Sequence, residues 1–219
     1  GWRVLDLCCG TGGITDALST WVGPQGTVIG ADLDTAKLDY ARQWAAGLGL
    51  DNVTYLEANA FASGLPPQSF DLVHTRFALS VIEGGLGILD HMLTLVKPGG
   101  ILCVEEVNSA SMACDPPTAD WDRAVEVCRD TFAAIGANIN LGPTLRREFL
   151  ARDLREVAMT LCVHAQTSTD PMTMHIPLTL AAMRDAITAR GVMEGADHVA
   201  DPMTTTTTFT MVQVTARAP

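Results

Sequence analysis

The sequence is short of positive charge. Lys and Arg number 14 against 25 Asp and Glu in 219 residues, a formal net charge of -11. Such a surplus of acid repels phosphate backbones and anionic lipid surfaces at long range, which speaks against nucleic acid as a partner. Long apolar runs are missing as well. No stretch reaches the roughly 18 apolar residues that a spanning helix needs, and no charged-then-apolar leader is visible. The expectation is therefore no membrane span and no secretory signal. The six cysteines, at 8, 9, 103, 114, 128 and 162, include no CxxC pair and no His/Cys spacing suited to zinc. They are expected to be small buried thiols in a reducing cytoplasm. No internal repeat is visible, and five threonines at 204–208 form the only low-complexity tract. The chain starts at Gly1 without an initiator methionine, and strand-like sequence begins almost at once. We therefore expect a further helical segment upstream that helps to close the site.

What is present is the composition of an ordinary globular chain, 47% hydrophobic and 18% charged, long enough to bury one core. Over the first 110 residues short apolar runs alternate with helical patterns. "RVLDLC", "TVIGAD", "NVTYLEA", "FDLVHT" and "ILCVEE" read as five strands. Helices are expected from Gly13 to Trp21, from Thr35 to Leu48, and through Leu86, Leu89, Leu93 and Val96 up to a "KPGG" turn. The strands are apolar on both faces, as a parallel sheet covered on two sides requires. This is a doubly wound α/β, Rossmann-like sheet. Beyond Pro117, Trp121, Val125, Cys128, Phe132 and Ile135 form a helical stripe, and Thr144–Ala151 a short helix. "EVAMTLCVHAQ" and "TTTTTFTMVQVTA" read as strands six and seven. Residues 165–203, with a helix near Leu178–Ala189, are longer than a hairpin loop needs and are expected to form a lid on a single domain spanning 1–219.

The chemistry starts at "RVLDLCCGTGG", a strand carrying a carboxylate and running into a glycine loop. A dinucleotide fingerprint needs a third glycine, but Thr15 stands there. Asp6 also disfavours a pyrophosphate at close range and favours a cation. A nucleoside cofactor with an ammonium and a sulfonium, and no phosphate, meets both conditions. An acid is then needed at the end of strand two to accept two ribose hydroxyls, and Asp32 is in place. Its neighbour Asp34 precedes a helix and is expected to cap it.

These residues resemble the class I S-adenosylmethionine-dependent methyltransferases, including ubiquinone- and menaquinone-type members. "VLDLCCGTG" is similar to that family's first motif, "VIGADLD" to its ribose-binding acid, "YLEANAF" to its adenine-edge motif, "SFDLVHTRFAL" to its fourth motif and "LVKPGG" to the turn before strand five. The resemblance covers residues 2 to about 107. It implies a seven-stranded sheet whose last strand inserts antiparallel between five and six. It also implies S-adenosylmethionine as cofactor. Gly10, Gly12 and the intervening Thr11 would then lie against the methionine part, with Asp6 near its amino group and Asp32 on the ribose. Leu33 would lie on the adenine, with Asn59, Ala60 and Phe61 at its edge and Thr75 close by. Cys8 departs from the family's first glycine. Asn59 replaces an aspartate, and an uncharged acceptor makes the weaker bond.

Residues at the carboxyl ends of strands four and five are candidates for the substrate side: Arg76, Phe77 and Glu106, with Glu105 beside it. Glu106 and His175 are the candidate bases, and Met172 and Met174 of the insertion suit an adaptable apolar pocket. His74 is expected to be a satisfied core residue and His91 a solvated one. The expected activity is methyl transfer in the cytoplasm to a small, rather apolar molecule such as a specialised metabolite, with a homodimer left open. The rival readings are a cyclase or isomerase built on the same fold, and a catalytically silent partner subunit.

Overall fold

The computed structural model describes residues 1–115, 117, 119–165 and 206–219, with positions 179, 181, 182 and 184 between. A seven-stranded sheet in the order β3-β2-β1-β4-β5-β7-β6 organises the chain. The strands are β1 (Arg3–Leu7), β2 (Thr27–Asp32), β3 (Val53–Glu57), β4 (Phe70–Arg76), β5 (Val96–Asp115), β6 (Arg155–Ala165) and β7 (Thr206–Arg217). The first five pair in parallel, while β7 lies antiparallel to both β5 and β6. The helices are α1 (Gly13–Val22), α2 (Thr35–Gly47), α3 (Leu86–Leu95), α4 (Ala119–Ala134) and α5 (Leu145–Leu150). Both the Rossmann-like fold and the inserted last strand match the expectation. No helix among the described residues is long and apolar enough to cross a membrane.

Alternation along the strands separates two faces. Leu5, Leu7, Val73, Leu102 and Val104 point into the main core with Phe70, Phe149 and the buried side of α3. The opposite face carries Val4, Leu72 and Cys103, packed under Leu18 of α1. Farther along it, Leu38, Ala41 and Ala45 of α2 pack on Tyr55. Of the expected Leu86, Leu89, Leu93 and Val96 stripe, only Leu89 is among the buried residues of α3, with Ile88, Met92 and Leu95. Leu86 and Leu93 are half-buried at its margin, and Val96 already belongs to β5. The "KPGG" turn is absorbed into β5, where Gly99 adopts φ 72. There the β4 pairing shifts from Phe70 opposite Val96 to Leu72 opposite Ile101. Strand β5 also runs well past "ILCVEE", to Asp115, because the extended arm of β7 pairs with it there.

One glycine shows how tightly α2 and β3 approach the loop after β1. A Cβ on Gly30 of β2 would lie 2.6 Å from the Tyr55 ring and 3.1 Å from Cys9 Sγ. Gly30→Ala, a change that ordinarily favours a strand, should therefore destabilise the fold by about 1–3 kcal/mol. The loss, read from the denaturant midpoint, should shrink in a Tyr55→Ala background. An equal loss in both backgrounds would show that the ring is not the obstacle.

Candidate functional site

Strand β1 ends at Leu7, and the chain then turns through Cys8 at φ 60, Gly10 at φ 54 and Gly12 at φ 89 before α1 begins. Left-handed backbone costs a side chain about 1–2 kcal/mol, so the cysteine in place of glycine carries strain. Burial and then the charges of Asp32 and Asp6 push its thiol up to about 12, so Cys8 is a neutral, inert thiol. The Gly10 N–H donates to Asp32 Oδ2 at 2.8 Å, and the Asp34 N–H donates to Asp32 Oδ1 at 2.9 Å. A carboxylate has about four acceptor sites, so this bridging acid keeps capacity for further donors. Asp34 caps α2 as expected, accepting from Ala36 and Lys37 N–H at 3.1 Å each.

The two loop glycines differ in what their bareness serves. A Cβ on Gly10 would meet nothing within 4 Å among the described residues, whereas one on Gly12 would lie 2.5 Å from the Tyr55 hydroxyl and 3.2 Å from Ala41 Cβ. Gly10 therefore offers open backbone to a ligand, and Gly12 lets the loop seat on β3 and α2. Thr11 is exposed between them. At the neighbouring strand end, Ala58 N–H donates to Asp32 O at 2.9 Å, bringing the 59–61 turn alongside. There Asn59 Oδ1 accepts from Phe61 N–H at 2.9 Å, and Ala60 is buried. Leu33, next to the acid in sequence, is 65% exposed, and Phe61 of the neighbouring turn is 41% exposed. The crevice over the ends of β1, β2 and β3 thus combines open backbone, a carboxylate and apolar walls.

Three sequence expectations are corrected by the geometry. Asp6 is 2% exposed and faces inward, where its Oδ2 accepts from Thr15 Oγ1 at 2.6 Å and its Oδ1 meets His74 Nδ1 at 2.8 Å. Thr15, the residue that breaks the dinucleotide fingerprint, is thus the donor that ties α1 to β1. The Asp6 carboxylate is occupied inside the protein and does not reach the crevice. Glu106, a candidate base, is fully buried. Its Oε1 accepts from Ala78 and Leu79 N–H at 3.1 and 2.8 Å, and its Oε2 accepts from the Ser80 hydroxyl. Burial pushes its carboxyl above the usual range against those bonds. It clamps the turn after β4 rather than facing a reactant. His91, expected in solvent, instead accepts from Ser63 N–H at 3.0 Å through Nε2, and burial lowers its pKa.

Other candidates fall where the strand order places them. Thr75 is fully buried, and its hydroxyl has no hydrogen-bond partner among the described residues. Arg76 is exposed at the end of β4. Phe77 takes φ 55 and donates its N–H to Glu105 O at 3.0 Å, packing its ring against the α4 cluster. His74 is buried as expected, but it is not fully satisfied, since its Nε2 has no hydrogen-bond partner among the described residues. Burial opposes its protonation, but the bond to Asp6 and the charge of Glu105 outweigh burial and raise it to about 9. Cys162 is exposed on β6, contrary to the expectation of buried thiols, while Cys103 and Cys128 are buried. His175, Met172, Met174 and nearly all of the expected lid lie outside the described residues.

Among the described residues a further groove lies elsewhere. It encloses about 620 Å³ along the sheet face beside α1, lined by Leu72, His74, Ile101, Cys103 and Thr215, not over the glycine loop.

Residues 1–151 match a family model described as a methyltransferase domain. The sequence is similar to the demethylmenaquinone methyltransferase of Geobacillus stearothermophilus, 39% identical over 106 residues, 48% of this chain and 45% of that protein. It is also similar to the ubiquinone/menaquinone biosynthesis C-methyltransferase of Pasteurella multocida, 41% identical over 109 residues, 49% of this chain and 41% of that protein. The aligned stretch spans about half the length of these curated relatives. In fold, the structure is similar to the YcgJ protein of Bacillus subtilis, with a TM-score of 0.68 over 99% of this chain and 91% of that one at 17% identity.

The Glu106 geometry separates a clamp from a base. Glu106→Ala orphans three donors and should cost about 2–5 kcal/mol in a denaturation experiment. Glu106→Gln keeps one oxygen for the two N–H groups and turns its amide toward Ser80, so it should remain folded with its turnover intact. Turnover abolished in a folded Glu106→Gln variant would restore the residue as a base.

Proposed function

The chain belongs to the methyltransferase-domain family, and from that premise we propose that it carries a methyl group from S-adenosylmethionine to a small, apolar acceptor of quinone type. The observation that carries the reading is Asp32, a carboxylate held at the crevice by Gly10 and Asp34 N–H with acceptor capacity to spare. A ribose with two hydroxyls suits that capacity, and the bare Gly10 backbone leaves room for the amino-acid part. In this reading Gly10, Thr11 and Gly12 line the methionine side. Leu33, Asn59, Ala60 and Phe61 line the adenine side, with Thr75 beneath and Cys8 shaping the turn. Arg76 and Phe77 face the acceptor. The acceptor class follows the names of the curated relatives, and the acidic chain suits an uncharged substrate.

When bound, S-adenosylmethionine supplies a methyl group on a sulfonium, with a good leaving group already in place. The chain's own contribution is then to align the acceptor and exclude water. A base is required only for a nucleophile that must lose a proton, and neither Asp6 nor Glu106 offers a free oxygen for that work.

The test is incubation with S-adenosylmethionine and a demethylmenaquinol bearing a short prenyl tail, followed by mass spectrometry. A product heavier by one methylene is expected; a product of unchanged mass would move the reading to an isomerase or cyclase. Calorimetry should show Asp32→Ala weakening cofactor binding by about 1.5–3 kcal/mol, the scale of bonds to a charged group. Unchanged affinity would remove Asp32 from the ribose. Asn59→Asp should tighten binding modestly, because a charged acceptor makes the stronger bond; unaltered or weaker binding would take residue 59 off the adenine edge.

A further inference from the structure

On the sheet face opposite the main core, His74 of β4 and Cys103 of β5 are register partners, and Glu105 follows two residues on, so all three project to one side. Their donor atoms lie within 4.8 Å of one another, with His74 Nε2 3.8 Å from Glu105 Oε1. That separation is too long for a hydrogen bond. Nε2 is buried and has no hydrogen-bond partner among the described residues, although the side chain is only 3% exposed. We propose that His74 Nε2, Cys103 Sγ and Glu105 Oε1 form a binding site for a divalent transition-metal ion, zinc by the nature of its donors.

Four features converge on this. One imidazole, one thiolate and one carboxylate match the ligand preferences of zinc and its neighbours, not those of calcium or magnesium. The far side of the ring is already set: Nδ1 lies 2.8 Å from Asp6 Oδ1, the carboxylate–histidine arrangement that fixes the ring and aims Nε2 at a metal. Glu105 is oriented in its turn by Gln213 Nε2, which donates to Oε1 at 2.8 Å. Finally, the three residues line the groove of about 620 Å³, which supplies an entry path and room for a water as fourth ligand. Ligand bonds of about 2.0–2.3 Å require the donor atoms to draw together by roughly 1 Å, within reach of a side-chain adjustment at Cys103 and Glu105. Binding displaces two protons, the thiol proton of Cys103 and the Nε2 proton of the His74 imidazolium, and both leave to bulk water. The ion would then join β4 to β5 and, through Asp6 and Thr15, brace the first turn of α1 behind the glycine loop.

Sequence spacing gave no zinc signal, because the donors come from two strands and meet only through the pairing register. The test is a cobalt titration of the metal-stripped protein, followed by absorption. A thiolate-to-cobalt charge-transfer band saturating at about one equivalent and displaced by zinc is expected. The band should vanish in Cys103→Ser, persist in Cys162→Ser and Cys9→Ser, and require about 10- to 100-fold more metal in Asp6→Asn. Circular dichroism would confirm that each variant is folded, and Glu105→Gln, which removes an oxygen ligand at a half-buried site, gives a second reading if Cys103→Ser is not. No charge-transfer band, a band that survives Cys103→Ser, or a Glu105→Gln titration identical to that of the parent would overturn the site and leave His74 as a buried ion pair.

Discussion

The two hydrogen bonds that end on Asp32, from Gly10 N–H and Asp34 N–H, are the constraint on which the crevice depends. Parallel pairing puts the ends of β1 and β2 side by side. It does not fix the direction in which the glycine loop leaves the sheet. Asp32 does that by holding the loop at one oxygen and the start of α2 at the other. The same carboxylate faces the open crevice, so in the proposed reading structural and ligand-binding demands fall on one side chain. The left-handed turn at Cys8, Gly10 and Gly12 and the seating of Gly12 on Tyr55 follow from it.

Two more acids are buried, one on each face, and each organises a different turn. Asp6 joins β1 to α1 through Thr15 and to β4 through His74. Glu106 takes two backbone N–H groups and a hydroxyl from the turn after β4. A buried carboxylate is tolerated only when its oxygens are satisfied, and both are. The consequence for chemistry is that, among the described residues, these two buried acids are not free groups of the crevice. This suits a displacement reaction whose rate comes from alignment and dryness rather than proton transfer.

Much of the fold was legible because the strands are short, apolar and punctuated by glycine, proline and capping residues. Asp34 was readable as a cap because its partners are two and three residues away, and β7 as an inserted strand through the family resemblance. Partners distant in sequence were not readable. Glu106 looked available because Ala78, Leu79 and Ser80 lie 28, 27 and 26 residues before it, and Asp6 looked ligand-facing because His74 is 68 residues on. Ser80, Thr15 and Gln213 carried no motif of their own, although Thr15 stood out as the residue that broke a glycine pattern. The full length of β5 was hidden for a similar reason: its outer half exists only because the threonine-rich arm of β7 pairs with it.

The central claim is that the cofactor sits over the ends of β1, β2 and β3 and not in the groove on the sheet face. The most direct measurement is a crystal structure of the protein with S-adenosylhomocysteine. The account predicts both ribose hydroxyls on the Asp32 carboxylate, the amino-acid part against Gly10, and the adenine between Leu33 and Phe61. A ligand seated in the groove between α1 and β5, with Asp32 still bound only to backbone N–H groups, would contradict it.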